Sequence, residues 1–123
     1  MEPLKKWYVA HVILAFEFKQ GPQADFSVWE NIYLISATSF EEAFAKATKL
    51  GQSAEGDDHG TLHWNDRPAT LKFHGVRRIM KPDNFGEDPV DGTELTFTEY
   101  TVKSRGELQK LVSGGSTRVV YEA

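Results

Sequence analysis

None of the 123 residues is cysteine. That excludes a disulfide framework, a thiolate zinc site and a thiol nucleophile, and it fits a reducing, cytoplasmic setting. Basic charge is also short: 14 lysines and arginines face 18 aspartates and glutamates, for a formal charge of -4. Nucleic-acid phosphates reward a basic face that such a chain does not offer, so no nucleic-acid partner is expected. No apolar run is long enough to span a bilayer as a helix, which needs about twenty residues, so no membrane partner is expected either. The best run, Trp7 to Phe16, follows Lys5 and Lys6 as the core of a signal peptide would. However, His11 interrupts it, no small-x-small cleavage site follows, and Glu17-Phe18-Lys19 continues a strand-like pattern. Repeats and low-complexity tracts are missing too, and the length is that of one domain, residues 1–123.

What is present is led by one helix. Thr38 and Ser39 each have a glutamate three places on, Glu41 and Glu42, which is the pattern of a capping box with its carboxylates at the positive end of the dipole. Phe40, Ala43, Phe44, Ala47 and Leu50 recur at helical spacing and predict the buried face, with Glu42, Lys46 and Lys49 on the wet side. Gly51 is expected to stop the helix in a left-handed cap.

Period-two patterning predicts a long strand from Trp7 to Phe18, and a second from Phe26 to Ala37 as its hairpin partner. Asn65-Asp66-Arg67-Pro68 reads as a turn between the short strands Thr61 to Trp64 and Ala69 to Phe73, and Val76 to Met80 continues past a bend at His74-Gly75. Thr93 to Val102 reads as a strand with Leu95 and Phe97 inward. Ser104 and Glu107 cap a short helix that Gly114-Gly115 ends, and Thr117 to Tyr121 closes the chain as an edge strand. The class is α+β: a mainly antiparallel sheet of about five to six strands, one main helix on one face and a short C-terminal helix. The second face of the first two strands is mixed but too apolar for open water, so it needs a cover, from the C-terminal helix or a second copy.

Chemistry is sparse. Asp57, His59 and His63 are the best metal-ligand candidates, but histidines four apart in a strand lie about 13 Å from one another. Asp83 to Glu94 has the length of a calcium loop without the glycine at its sixth place, which is Asp88. The glycine-rich Ser113 to Thr117 follows a helix, the wrong polarity for phosphate, and Ser53 lacks a nucleophile elbow. No cofactor is expected. Trp7, Val9, His11, Ile13, Trp29 and Tyr33 form the suspected contact surface, because tryptophan is enriched at interfaces and these strand faces are incompletely apolar. Asp83, Glu87, Asp88 and Asp91 form an acidic run suited to a basic partner surface.

Five segments in order resemble a small bacterial family of uncharacterised domains, a domain of unknown function. They are Trp7-Tyr8-Val9-Ala10, Val28-Trp29-Glu30-Asn31 leading to Leu34, the Glu41-Glu42-Ala43 helix through Gly51, Phe73-His74-Gly75-Val76, and Asp91-Gly92-Thr93-Glu94. Where the family tends to carry two acids after the aromatic, this chain has Glu30 and Asn31. The resemblance implies a core over residues 7–102 with 103–123 as an extension, and it brings no activity with it. The functional expectation is a non-catalytic protein acting through contact, with a second copy or another protein, including an immunity or antitoxin type of partner. The alternative is a small-molecule or metal binder, or a small hydrolase-like enzyme, with a pocket between helix and sheet lined by Trp64, His59 and His63.

Overall fold

The computed structural model describes residues 4–81 and 88–122. Strands β1 (Lys6–Phe18) and β2 (Val28–Ala37) form the expected antiparallel hairpin, paired without a break from Lys6 opposite Ala37 to Ala15 opposite Val28. The helix α1 (Phe40–Ser53) follows, then β3 (His63–Trp64), β4 (Arg67–Met80), β5 (Glu99–Thr101), α2 (Arg105–Ser113) and β6 (Val120–Glu122). The strands divide into a four-stranded sheet in the order β2-β1-β4-β3 and a separate β5-β6 ribbon. Both pair antiparallel, giving the α+β class. Among the described residues no helix is long and apolar enough to cross a membrane.

Both caps form as their residues dictate. The Ser39 hydroxyl accepts from the Glu42 amide at 3.1 Å, and the Glu42 carboxylate accepts from the Thr38 hydroxyl at 2.5 Å. Ser104 does the same for the Glu107 amide at 3.1 Å, and Gly114 ends α2 with φ 81°, the left-handed cap. The turn between β3 and β4 is tighter than expected. Trp64 opposes Arg67, so Asn65 and Asp66 alone make the corner, both at positive φ, and Arg67 and Pro68 belong to the strand.

Gly51 does not stop α1. It lies inside the helix, buried, and the helix ends at Ala54 with φ -83°. A Cβ at Gly51 would stand 2.5 Å from Phe73 Cε1 and 2.8 Å from Val12 Cγ1, so glycine is there to let the helix approach the sheet. The buried stripe is accordingly Ala43, Ala47 and Gly51, while Phe40, Phe44 and Leu50 stay partly exposed at its margins. Small residues set this face because the backbone must come close. The core they close on is Tyr8, Ala10, Val12 and Leu14 of β1 with Ile35 and Ala37 of β2.

Directly opposed residues of an antiparallel pair share a face. Trp7, Val9, His11 and Ile13 therefore lie on the face away from α1 with Glu30, Ile32, Leu34 and Ser36, whereas Trp29 and Tyr33 sit on the helix face opposite Leu14 and Ala10. The suspected contact surface is thus divided between two sides of the sheet.

Candidate functional site

The face away from α1 is covered by the chain's own residues, though not by the expected ones. Residues 88–98 run across it as an extended strap, and only Glu99–Thr101 pairs as a strand. The strap's parity is the reverse of the expectation: Leu95 and Phe97 are turned outward, Phe97 53% exposed, and Thr96 points at the sheet. Threonine is inside because its partner there is polar. The Trp7 indole N–H donates to Asp88 Oδ1 at 2.9 Å, Thr96 meets His11, and Arg78 donates to the Phe97 carbonyl.

His11 is the centre of this arrangement and is 0% exposed. Its Nδ1 lies 2.6 Å from Glu30 Oε2 and its Nε2 lies 3.0 Å from Thr96 Oγ1. A carboxylate only accepts, so Nδ1 carries a proton and donates to Glu30, while the Thr96 hydroxyl at Nε2 also lies within reach of Met80 Sδ and the Phe97 carbonyl. Three segments, β1, β2 and the strap, are tied by one side chain. Hydroxyl, imidazole and carboxylate connected in this order match the nucleophile, base and orienter of a catalytic relay. The ring is sealed under the strap, and a relay needs room for substrate beside it; the geometry is that of a polar lock. Val9 and His11, being fully buried, are corrected out of any contact surface.

Two bulges in β4 shape the rest of the face. The β1–β4 register shifts between His11 and Val12 and again between Ile13 and Leu14, which inserts Arg77 and His74 as extra residues. His74 Nε2 then reaches Glu17 Oε2 at 2.9 Å. Arg77 stacks on the Tyr121 ring of β6, 4.7 Å from its centroid, beside Arg78, which is opposite His11. Tyr121 in turn packs edge-on to Tyr100 at 5.0 Å. Burial raises the Tyr121 hydroxyl above its ordinary pKa, the charges of Tyr100 and Glu30 add to this, and Arg77 opposes it. Arg77, Arg78, Thr98, Tyr121 and Glu122 enclose a cavity of about 300 Å³ between β4 and the ribbon.

The expected metal ligands are not assembled. Asp57 Oδ2 is 2.6 Å from Lys19 Nζ, its other oxygen accepts from the Gly60 amide, and the lysine hydrogen bond holds its carboxyl below the ordinary range. His59 is exposed, and His63 Nδ1 is taken by the Thr61 carbonyl at 2.8 Å. Among the described residues no group of three or more histidines, aspartates and glutamates is placed to hold a metal ion. Trp64 stacks on Phe18 at 5.1 Å, and the hollow beside it is lined by Pro22, Gln23 and Arg67 rather than by His59 or His63. Of the acidic run, Asp83 and Glu87 lie outside the described residues, Asp88 is engaged by Trp7, and Asp91 is exposed in a turn.

A family model described as a domain of unknown function, DUF4288, matches residues 7–96. The chain belongs to that family. The DUF4288 match runs from the tryptophan that holds the start of the strap to the threonine that bonds His11, so the polar lock lies wholly within it. The β5-α2-β6 segment lies beyond it. No curated protein and no solved structure matches the chain.

A second surface is left open. The strand order places β2 at one end of the sheet. Phe16 N–H donates to the Ser27 carbonyl, and Lys46 Nζ donates to the Ser36 carbonyl from α1 at 2.5 Å. Odd-numbered residues of β2 therefore direct their peptide groups to β1, and Val28, Glu30, Ile32 and Leu34 direct theirs outward. Val28, Trp29, Ile32 and Leu34 are each 40% exposed or more. Sheets commonly guard such an edge with proline, lysine or a bulge; β2 itself carries none of these, and Lys46 of α1 takes its Ser36 carbonyl, which leaves Val28 to Leu34 open. Sequence reasoning missed this edge because strand order is not legible in one chain's pattern.

Proposed function

We propose that the domain works by protein contact rather than by catalysis, and that its contact surface is the open edge of β2 taken by a second copy of this chain. The observation that carries the reading is the open stretch of the β2 edge from Val28 to Leu34 with four half-exposed apolar side chains. An antiparallel strand edge is self-complementary about a two-fold axis, so one surface serves both partners. The groove between β2 and α1, lined by Leu34, Ile35, Lys46 and Leu50, continues the surface onto the helix.

A basic partner of the immunity or antitoxin type has less support, since Asp88 is already committed to Trp7. A cytoplasmic setting belongs to the same reading and rests on the absence of cysteine.

Native mass spectrometry of the intact chain tests the proposal. A homodimer is expected, and Ile32→Lys and Leu34→Lys should each convert it to a monomer with little change in melting temperature, because both side chains are exposed. A wild-type monomer at all concentrations, or variants that stay dimeric, would overturn it.

A further inference from the structure

We propose that the cavity between β4 and the C-terminal ribbon binds a small molecule through an anionic oxygen group, a carboxylate or a phosphate. The case begins with the bulge at Arg77. An unbroken strand would alternate Arg77 and Arg78 between faces; the inserted residue brings both to the same cavity. Two guanidiniums then line one cavity against the single carboxylate of Glu122. Neither forms an ion pair with a carboxylate among the described residues.

One Arg78 guanidinium nitrogen donates to the Phe97 carbonyl, and its Nε is buried without a partner and out of reach of the cavity, so the terminal nitrogen Nη1 is the donor left to a ligand. Arg77 is held by its stacking on Tyr121, so its donors stay available at the edge of the ring. Both guanidiniums line the one cavity, and guanidinium N–H groups are the donors that carboxylate and phosphate oxygens accept best. Thr98 lines the same space and adds a hydroxyl donor.

Glu122 lines the cavity too, with Oε1 accepting from the Thr101 hydroxyl at 2.5 Å; a hydroxyl donor leaves the carboxylate charge in place, so Glu122 offsets one of the two arginines and a net positive charge is left for an anion. Glu30 is bound to His11. A volume of about 300 Å³ is at the lower end of ligand pockets, which suits a small anion. Arg77 and Arg78 come from the DUF4288 match and Thr98, Tyr121 and Glu122 from beyond it, so the complete cavity needs the C-terminal segment.

The test is an NMR titration of the full chain at constant ionic strength, once with inorganic phosphate and once with benzoate. Saturable shifts at Arg77, Arg78, Thr98 and Tyr121 are expected for at least one probe, with Kd in the millimolar range. Phosphate alone would identify a phosphate-bearing ligand, and benzoate alone a carboxylate. Arg77→Gln, at an exposed position, should fold normally and weaken binding by about tenfold; Arg78→Gln should weaken it at least as much. The proposal fails if neither probe saturates by about 50 mM, well above millimolar affinity, or if Arg77→Gln binds as tightly as the wild type. The readout is local to the cavity, so it stands or falls separately from self-association.

Discussion

Replacing Gly51 by alanine separates two physical arguments that point in opposite directions. Helix propensity alone says that Gly51→Ala in the interior of α1 stabilises by about 1 kcal/mol, because alanine loses less backbone freedom on folding. The structure places the new methyl 2.5 Å from Phe73 Cε1 and 2.8 Å from Val12 Cγ1, inside van der Waals contact on both sides. Val12 is fully buried and Phe73 is packed against the same core, so the new methyl must displace one of them. Overpacking a core by one carbon costs about 1–3 kcal/mol. The propensity gain offsets about 1 kcal/mol of this, and the variant should be less stable by up to about 2 kcal/mol. Urea denaturation followed by circular dichroism should show the midpoint falling by up to about 1 M with the slope unchanged, for a slope near 2 kcal/mol/M. Phe73→Leu in the Gly51→Ala background should recover part of the loss, a coupling that a double-mutant cycle measures directly. A higher midpoint for Gly51→Ala would refute the close-approach account and restore glycine as a mere helix weakener.

Substituting His11→Leu keeps the bulk but removes the partner of the part-buried Glu30 carboxylate, while Thr96 retains Met80 Sδ and the Phe97 carbonyl, and at about 1–3 kcal/mol for one unsatisfied group it should cost about 1–3 kcal/mol. Limited proteolysis should then cut within residues 88–98 faster than in the wild type; an equally resistant strap would show that His11 does not hold it. The pH dependence follows from three carboxyls held below their ordinary range, Glu42 chiefly by the Thr38 hydroxyl, Asp57 by Lys19 and Glu107 by the Thr117 hydroxyl. Groups with lowered folded pKa values contribute stability above the unfolded value and lose it as the pH falls through the folded value. The melting temperature should therefore fall progressively on acidification below about 4.5 as these exposed groups protonate; a rise on acidification in differential scanning fluorimetry would contradict the assignment.

The legibility of this chain follows the range of the interactions involved. The capping residues Ser39 and Ser104, the αL glycine Gly114 and the β1–β2 hairpin are settled within a few residues or one turn, and each was readable from the pattern. The His11 lock was not, because its partners stand 19 and 85 residues away. A signal was nonetheless present: His11 is the polar break in an apolar run, and Glu30 is the one charged residue of β2. The division of Trp7 from Trp29 required the hairpin register, since a one-residue difference in pairing sends a side chain to the other face. The paired arginines had no sequence signal, because a bulge is a defect in pairing between two strands and leaves no period in either.

By itself the sequence determined the elements and their signs: no thiol chemistry, an acidic balance, two capped helices and a long apolar hairpin. Propensity, capping and alternation act over a few residues, so the order of amino acids contains them. Only the tertiary structure decided which face of α1 is buried, that the strap turns Thr96 inward, that β2 is left as an open edge, and that Arg77 joins Arg78 in one cavity. Those outcomes depend on how closely backbones approach and which polar groups meet across the sheet, and such distances exist only once the segments have packed.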